Sequence, residues 1–177
     1  MTLPVLVGAL LAFRLLGAFG VRRFASWPVS AAHALAIMLL MTASAHFVPA
    51  GVTVMPTHAD LVRMVPPFVP FPGAMVYLTG VLELAGALGL LVGRTRRAAG
   101  LCLAALFVVM LPANVYAAVA DVPFAGGPPS PLWQRVPEQA LYVAVALWAA
   151  LSAPRSSLLP SGNRPERSPA AEELPVG

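Results

Sequence analysis

Residues 64–97, MVPPFVPFPGAMVYLTGVLELAGALGLLVGRTRR, contain the run that decides the fold. Prolines break its entry, an arginine cluster closes it, and Glu83 is the only charged residue between positions 71 and 92. At about 1.5 Å per residue, a helix of about twenty residues crosses a bilayer core roughly 30 Å thick. The stretch therefore predicts a transmembrane helix that carries one carboxyl group inside the membrane.

The neighbours of Glu83 predict which side of this helix faces the protein. Positions three, four and seven residues away share its face and are mostly small or polar: Thr79, Gly80, Gly86, Ala87 and Leu90. Small residues let a second helix approach closely. A carboxyl group inside a membrane costs a few kcal/mol, so we expect Glu83 to turn inward to a partner. The other sides of the helix suit lipid: Val81, Leu84, Leu88 and Leu91.

The composition indicates a membrane protein before any motif is considered. Of 177 residues, 59% are hydrophobic and 10% are charged, and the mean hydropathy is +0.81, whereas soluble domains are about 25% charged. The net charge of +4 comes from arginines that punctuate apolar runs, so no nucleic-acid partner is expected. Cys102 is the sole cysteine, which excludes an internal disulfide and a cysteine metal cluster. The partner that this composition predicts is the lipid bilayer.

Five apolar runs predict an all-α, polytopic membrane helical bundle. The predicted spans are residues 3–20, 29–48, 71–92, 98–119 and 137–152. We interpret residues 1–153 as a single membrane domain and the polar residues 154–177 as a disordered cytoplasmic tail. The first span is expected to be retained, because a signal peptide carries its positive charge before the apolar core. Thr57 and Asp60 predict the cap of a short interfacial helix, followed by a proline-rich segment that is not helical.

The arginines predict the orientation of the spans. With the amino terminus outside, eight arginines fall in cytoplasmic segments and two fall in outside segments: Arg22, Arg23, Arg94, Arg96, Arg97, Arg155, Arg164 and Arg167 against Arg63 and Arg135. This distribution agrees with the excess of positive charge that cytoplasmic loops carry. We therefore expect the amino terminus outside and the carboxyl terminus in the cytoplasm.

Four polar residues from four predicted spans lie at a similar depth near the outer side. They are His46, Tyr77, Asn114 and Gln139. One interpretation is a ligand pocket, because several polar groups converge at one level. The alternative is that each is a helix cap or an interhelical hydrogen bond, which is the more frequent role of a membrane asparagine. No metal site is expected.

Arg14 is the second intramembrane charge, and its partner is open on the sequence alone. It lies about two turns from the arginine end of the first span. One alternative is that its side chain extends to that end of the membrane, and the other is that it reaches inward to pair with Glu83.

Several segments, in this order, resemble the DoxX-like family of small bacterial integral membrane proteins. They are HFVP from His46, the stretch 64–97, LPANVYAA from Leu111, and PLWQRVPEQALYVAVALW from Pro131. The resemblance covers about residues 38–148 and implies a bundle of four core transmembrane helices in the bacterial cytoplasmic membrane, with the first span as an additional N-terminal helix. Some members accompany quinone-linked or thiol-stress oxidoreductases, so it also implies a membrane or membrane-associated oxidoreductase partner. It carries over no catalytic residue.

Three function classes stay open. The first is a non-catalytic subunit or scaffold of a membrane complex, whose polar residues hold helices together. The second is a quinone- or lipid-contacting accessory of a membrane oxidoreductase system, in which His46, Tyr77 or Asn114 donates a hydrogen bond to a quinone carbonyl. The third is a small-solute transporter, although no internal repeat is visible. The sequence has no paired acid and base and no phosphate loop, so we do not expect an independent enzyme, and catalytic residues are unknown.

Overall fold

A computed structural model describes residues 2–52 and 54–153 of the chain. In this part the chain forms six α-helices: α1 (Thr2–Ala18), α2 (Trp27–Ser44), α3 (His58–Met64), α4 (Pro72–Leu91), α5 (Arg96–Val119) and α6 (Leu132–Leu151). A short 3-10 turn (Arg22–Phe24) lies between α1 and α2. The same residues contain no β-strand, so the all-α prediction is confirmed. The predicted tail, residues 154–177, lies outside the described residues.

Three of the helices, α2, α4 and α5, are long and apolar enough to cross a membrane. The helix α1 is apolar but shorter, with 17 residues. The helix α6 has 20 residues, and Arg135 and Glu138 stand in its first two turns. Residues 2–52 and 54–153 therefore form a helical structure with three candidate membrane-spanning helices.

The most buried helix is α2, which packs against α1, α4 and α6, while α5 packs against α4 and along α6. The short helix α3 packs on α4 and α5, at the end of α4 opposite the arginine cluster that follows it. Leu35, Leu39 and Leu90 are fully buried in the centre. A Cβ atom at Gly100 of α5 would lie 2.6 Å from the carbonyl oxygen of Ala146. This glycine therefore permits the close contact between α5 and α6.

The boundaries of two predicted spans differ from those of the helices. The helix α2 ends at Ser44, because the chain tightens there into a turn in which the backbone N–H of His46 donates to the carbonyl of Ala43. The helix α6 begins at Leu132, five residues before the predicted start, so Pro137 is inside the helix. Pro137 removes one backbone hydrogen-bond donor from the helix. The first turn of α6 still forms, with Pro131 as its N-cap residue.

The connection between α2 and α4 agrees with its prediction. Thr57 and Asp60 form the predicted capping box of α3, since each side chain accepts a hydrogen bond from the backbone N–H of the other. Residues 65–71 are not helical. Phe71, the N-cap residue of α4, has a φ of 52°, which is in the left-handed region. The capped helix and the proline-rich segment place α3 across one end of α4.

Candidate functional site

Glu83 is buried at the contact between α2 and α4, with 4% of its surface exposed. The predicted inward face is confirmed, because Gly80, Gly86, Ala87 and Leu90 are buried on the same helix. One carboxylate oxygen, Oε2, lies 3.4 Å from the hydroxyl of Thr42. The other, Oε1, lies 3.8 Å from Nε2 of His46. The Glu83 carboxyl group thus has its partners on α2 and just beyond the end of α2.

His46 follows the end of α2 and is 5% exposed. Its Nδ1 lies 2.6 Å from the carbonyl oxygen of Val76 on α4. A Cβ atom at Gly80 would lie 2.5 Å from the Cβ of His46, so a glycine is needed for this ring to reach α4. The Thr79 hydroxyl lies 3.4 Å from the same ring nitrogen and donates to the Val76 carbonyl. The geometry holds the imidazole in one orientation, with Nε2 turned to Glu83.

The helix α3 supports this histidine through its backbone. Nδ1 of His58 lies 2.9 Å from the carbonyl oxygen of His46. The His58 ring stacks on Tyr77, with 4.0 Å between the ring centroids and 17° between the planes. Tyr77 is half-exposed and also contacts Phe47 at 5.9 Å between centroids. An aromatic cluster of Phe47, His58 and Tyr77 therefore lies next to the buried side chains of His46 and Glu83.

Asp60 fixes the start of α3. Burial of its carboxyl group favours the neutral form, but hydrogen bonds from the backbone N–H and hydroxyl of Thr57, with the Arg63 guanidinium, outweigh burial and lower the pKa of Asp60. The carboxylate is therefore ionised at neutral pH and holds the cap.

A second polar cluster joins α5 to α6. Nη1 of Arg135 donates to Oδ1 of Asn114 over 2.8 Å, and Nδ2 of Asn114 lies 3.4 Å from Oε1 of Gln139. Nε2 of Gln139 donates to the Phe107 carbonyl over 2.7 Å. This carbonyl lies in the turn before Pro112, where a proline loosens the backbone hydrogen bonds of a membrane helix. Gln139 thus donates a hydrogen bond from α6 to the backbone of α5.

The four residues of the predicted outer group are divided between these two clusters. His46 and Tyr77 lie at the contact of α4 with α2 and α3, whereas Asn114 and Gln139 lie between α5 and α6. Among the described residues, no hydrogen bond or aromatic contact links one cluster to the other. The two clusters are separate because they belong to different helix contacts. His46 packs against Gly80, eight residues after the start of α4.

Arg14 takes the first of its two predicted alternatives. Its Nη1 donates to the carbonyl oxygen of Phe24 over 2.7 Å, and its guanidinium lies 4.6 Å from the centre of the Trp27 ring. The side chain therefore runs to the arginine end of the molecule. The alternative pair with Glu83 is not formed, because Glu83 faces Thr42 and His46.

The sequence indicates one of two further members of the site, Thr42, but gives no signal for the other, His58. Thr42 lies one helical turn before His46, which is a spacing that places both on one face. His58 directly follows the capping residue Thr57, and nothing in this position predicts that its ring reaches the carbonyl of His46. The residues described by the structure contain no group of three His, Cys, Asp or Glu side chains placed to hold a metal ion.

A groove of about 640 Å³ lies apart from both polar clusters, between α4 and α5. Its lining is apolar and mostly small and includes Ala85, Gly89, Ala98, Cys102, Leu106 and Val109. Cys102, the sole cysteine, is exposed there.

One family model matches residues 35–150, and its description is Domain of unknown function (DUF8561). The chain belongs to this family. The part of the chain matched by DUF8561 contains α3, α4 and α5 complete, α6 up to its last residue but one, and the second half of α2; it includes His46 and Glu83, whereas α1 lies before it. No curated protein and no solved structure matches the chain.

Proposed function

We propose that this chain is a non-catalytic subunit, or scaffold, of a membrane complex. The observation that carries the proposal is the use made of the polar residues. His46, Gln139 and Asn114 each bond another helix or a backbone carbonyl instead of facing an open cavity. Groups that satisfy one another in this way stabilise a bundle and leave few free donors for a ligand.

The same proposal includes the place of the chain in the cell. We infer five crossings of the bacterial cytoplasmic membrane, with α2, α4, α5 and α6 as the core and α1 as an additional N-terminal helix. The packing of α1 on α2 supports its inclusion, and the arginine distribution supports an outside amino terminus and a cytoplasmic carboxyl terminus. The DoxX-like resemblance supports the bacterial location.

The groove between α4 and α5 is the surface that we assign to a partner helix. Small side chains let the backbones of two helices approach, and van der Waals contact drives helix association in lipid. Exposed Cys102 lies in the groove and provides a native attachment point. A subunit role therefore predicts that Cys102 is next to another protein in native membranes.

Photocrosslinking from this thiol tests the proposal. A benzophenone maleimide attached to Cys102 in native membranes should give one adduct with a different protein, which also copurifies at a fixed ratio in mild detergent. The matched control is Cys102→Ala with Ala140→Cys, which moves the label to an exposed position on α6. Adducts with lipid alone, with a second copy alone, or with equal yield from both positions contradict the subunit role.

A quinone-contacting accessory of a membrane oxidoreductase is the second candidate, because Tyr77 presents a half-exposed aromatic ring stacked on His58. Planar rings of this kind suit a quinone ring. Quinone extracted from protein purified in mild detergent, and lost in Tyr77→Leu, supports this candidate. Protein without quinone contradicts it. The α4–α5 groove is apolar and lies on the surface of the bundle, so it does not support the third function class, a small-solute transporter.

A further inference from the structure

The contact between His46 and Glu83 brings an acid and a base together inside the bundle. The two side chains are 5% and 4% exposed, and the atoms that face each other are Nε2 of His46 and Oε1 of Glu83, 3.8 Å apart. A buried charge is stable in a membrane protein only with a partner. The protonation state of this pair therefore follows from the contacts around it.

The first constraint is the tautomer of the histidine ring. Nδ1 lies 2.6 Å from the Val76 carbonyl oxygen, and because a carbonyl oxygen only accepts, Nδ1 carries a hydrogen. In a neutral ring the other nitrogen, Nε2, is then an acceptor. The lone pair of Nε2 is directed to the carboxyl group of Glu83.

The second constraint is the carboxyl group itself. An ionised carboxylate also only accepts, so a neutral ring beside a carboxylate would set two acceptors against each other. Unpaired buried acceptors are costly. A single proton on either group removes the conflict. It gives a neutral acid facing a neutral ring, or a carboxylate facing an imidazolium.

The third constraint is the absence of a competing charge among the described neighbours. Four other titratable side chains on the helices packed against α4 are bound elsewhere. Asp60 is bound to Thr57 and Arg63, Arg96 to the Leu90 carbonyl, His33 to Arg23 and the Val29 carbonyl, and His58 to the backbone of His46. Thr42 is neutral and offers only a hydroxyl hydrogen to Oε2.

We propose that His46 and Glu83 form an intramembrane proton-binding site that holds one proton between them at neutral pH. Transfer within the site requires Nε2 and Oε1 to approach from 3.8 Å to hydrogen-bond distance. It then breaks the O–H bond of the Glu83 acid and forms an N–H bond at Nε2, and the reverse transfer restores the O–H bond, so one proton is conserved. Thr42 positions the carboxyl group and takes no proton. Water is the source and acceptor of the proton when the site exchanges. This inference does not depend on the subunit role.

Counting the proton tests the site. The full chain, reconstituted in lipid bilayers at neutral pH, is measured by infrared spectroscopy of its carboxyl groups and by 15N NMR of its histidine rings. Glu83→Gln assigns the Glu83 carboxyl band by its loss, and His46→Gln assigns the His46 ring signals. The expected result is either a protonated carboxyl with one ring N–H or a carboxylate with two ring N–H groups.

Two results overturn the proposal: a carboxylate beside a neutral ring, which means no proton, and a protonated acid beside an imidazolium, which means two. Thr42→Val is the control, since it should shift the carboxyl band without changing the proton count. If His46→Gln does not fold, His33→Gln and a histidine-by-histidine comparison with His58→Gln assign the ring signals by elimination. These readouts detect no partner protein and no quinone, so their failure is separate from failure of the proposed function.

Discussion

At the scale of single residues, Gly80 decides whether His46 can reach α4. A methyl group at Gly80 would meet the His46 Cβ at 2.5 Å, whereas a methyl group at Gly93 would have open space. We expect Gly80→Ala to destabilise the bundle by roughly 1–3 kcal/mol through overpacking. Gly93→Ala should have almost no effect. Thermal melting in the same detergent measures both, and equal midpoints for the two variants would contradict the contact.

The partner of Glu83 can be identified by comparing two double-mutant cycles. His46 contacts Glu83, so His46→Gln and Glu83→Gln should couple, by roughly 0.5–3 kcal/mol. Arg14 binds Phe24 at the other end of the molecule, so Arg14→Gln and Glu83→Gln should be additive within about 0.5 kcal/mol. The measurement is the free energy of unfolding in bicelles. Coupling in the Arg14 cycle alone would show that Glu83 pairs with the arginine.

At the scale of elements, the α3 cap should depend on pH. The pKa of Asp60 is lowered in the folded chain, so its contribution to stability is present above the unfolded pKa of about 3.9 and is lost as pH falls through the lower folded pKa. At neutral pH, Asp60→Asn should weaken α3 by about 1 kcal/mol. At pH values below the folded pKa of Asp60, α3 should be equally stable in the variant and in the original chain.

Hydrogen exchange of the α3 amides measures this difference. Faster exchange in Asp60→Asn at neutral pH, with unchanged exchange in α5, is the expected result. Arg63→Gln is the control, because it removes the guanidinium and keeps the Thr57–Asp60 cap. A loss that is the same at acid and neutral pH would show that the carboxylate charge does not stabilise α3.

At the scale of the whole molecule, the orientation can be tested by cysteine labelling. In a Cys102→Ala background, Ser130→Cys lies in the loop between α5 and α6, and Gly93→Cys lies in the loop between α4 and α5. An impermeant reagent on intact cells should label Ser130→Cys only. In inverted membrane vesicles the pattern should reverse. Labelling of both on intact cells, or of Gly93→Cys alone, would contradict the proposed topology.

The sequence predicted the helices better than it predicted the contacts between them. Apolar length and the face around Glu83 located α4 and its buried side, because both follow from helix periodicity alone. The partner of Glu83 could not be predicted in the same way. It depends on the axial offset that places His46 opposite Gly80, and on the rotation that separates Tyr77 from Asn114. Neither quantity has a local sequence pattern.

The two arginines at the end of α4 have a consequence for the order in which the chain is assembled. Arg96 binds the Leu90 carbonyl from the start of α5, only six residues later, and Arg23 binds the Leu91 carbonyl from 68 residues earlier. In the proposed topology, α1 and α2 therefore enter the membrane before the acceptor of Arg23 has been synthesised. In that topology, we expect the Arg23 guanidinium to meet lipid headgroups until α4 is inserted. Once α4 has docked, the hydrogen bond from Arg23 to the Leu91 carbonyl joins the early half of the chain to the late half.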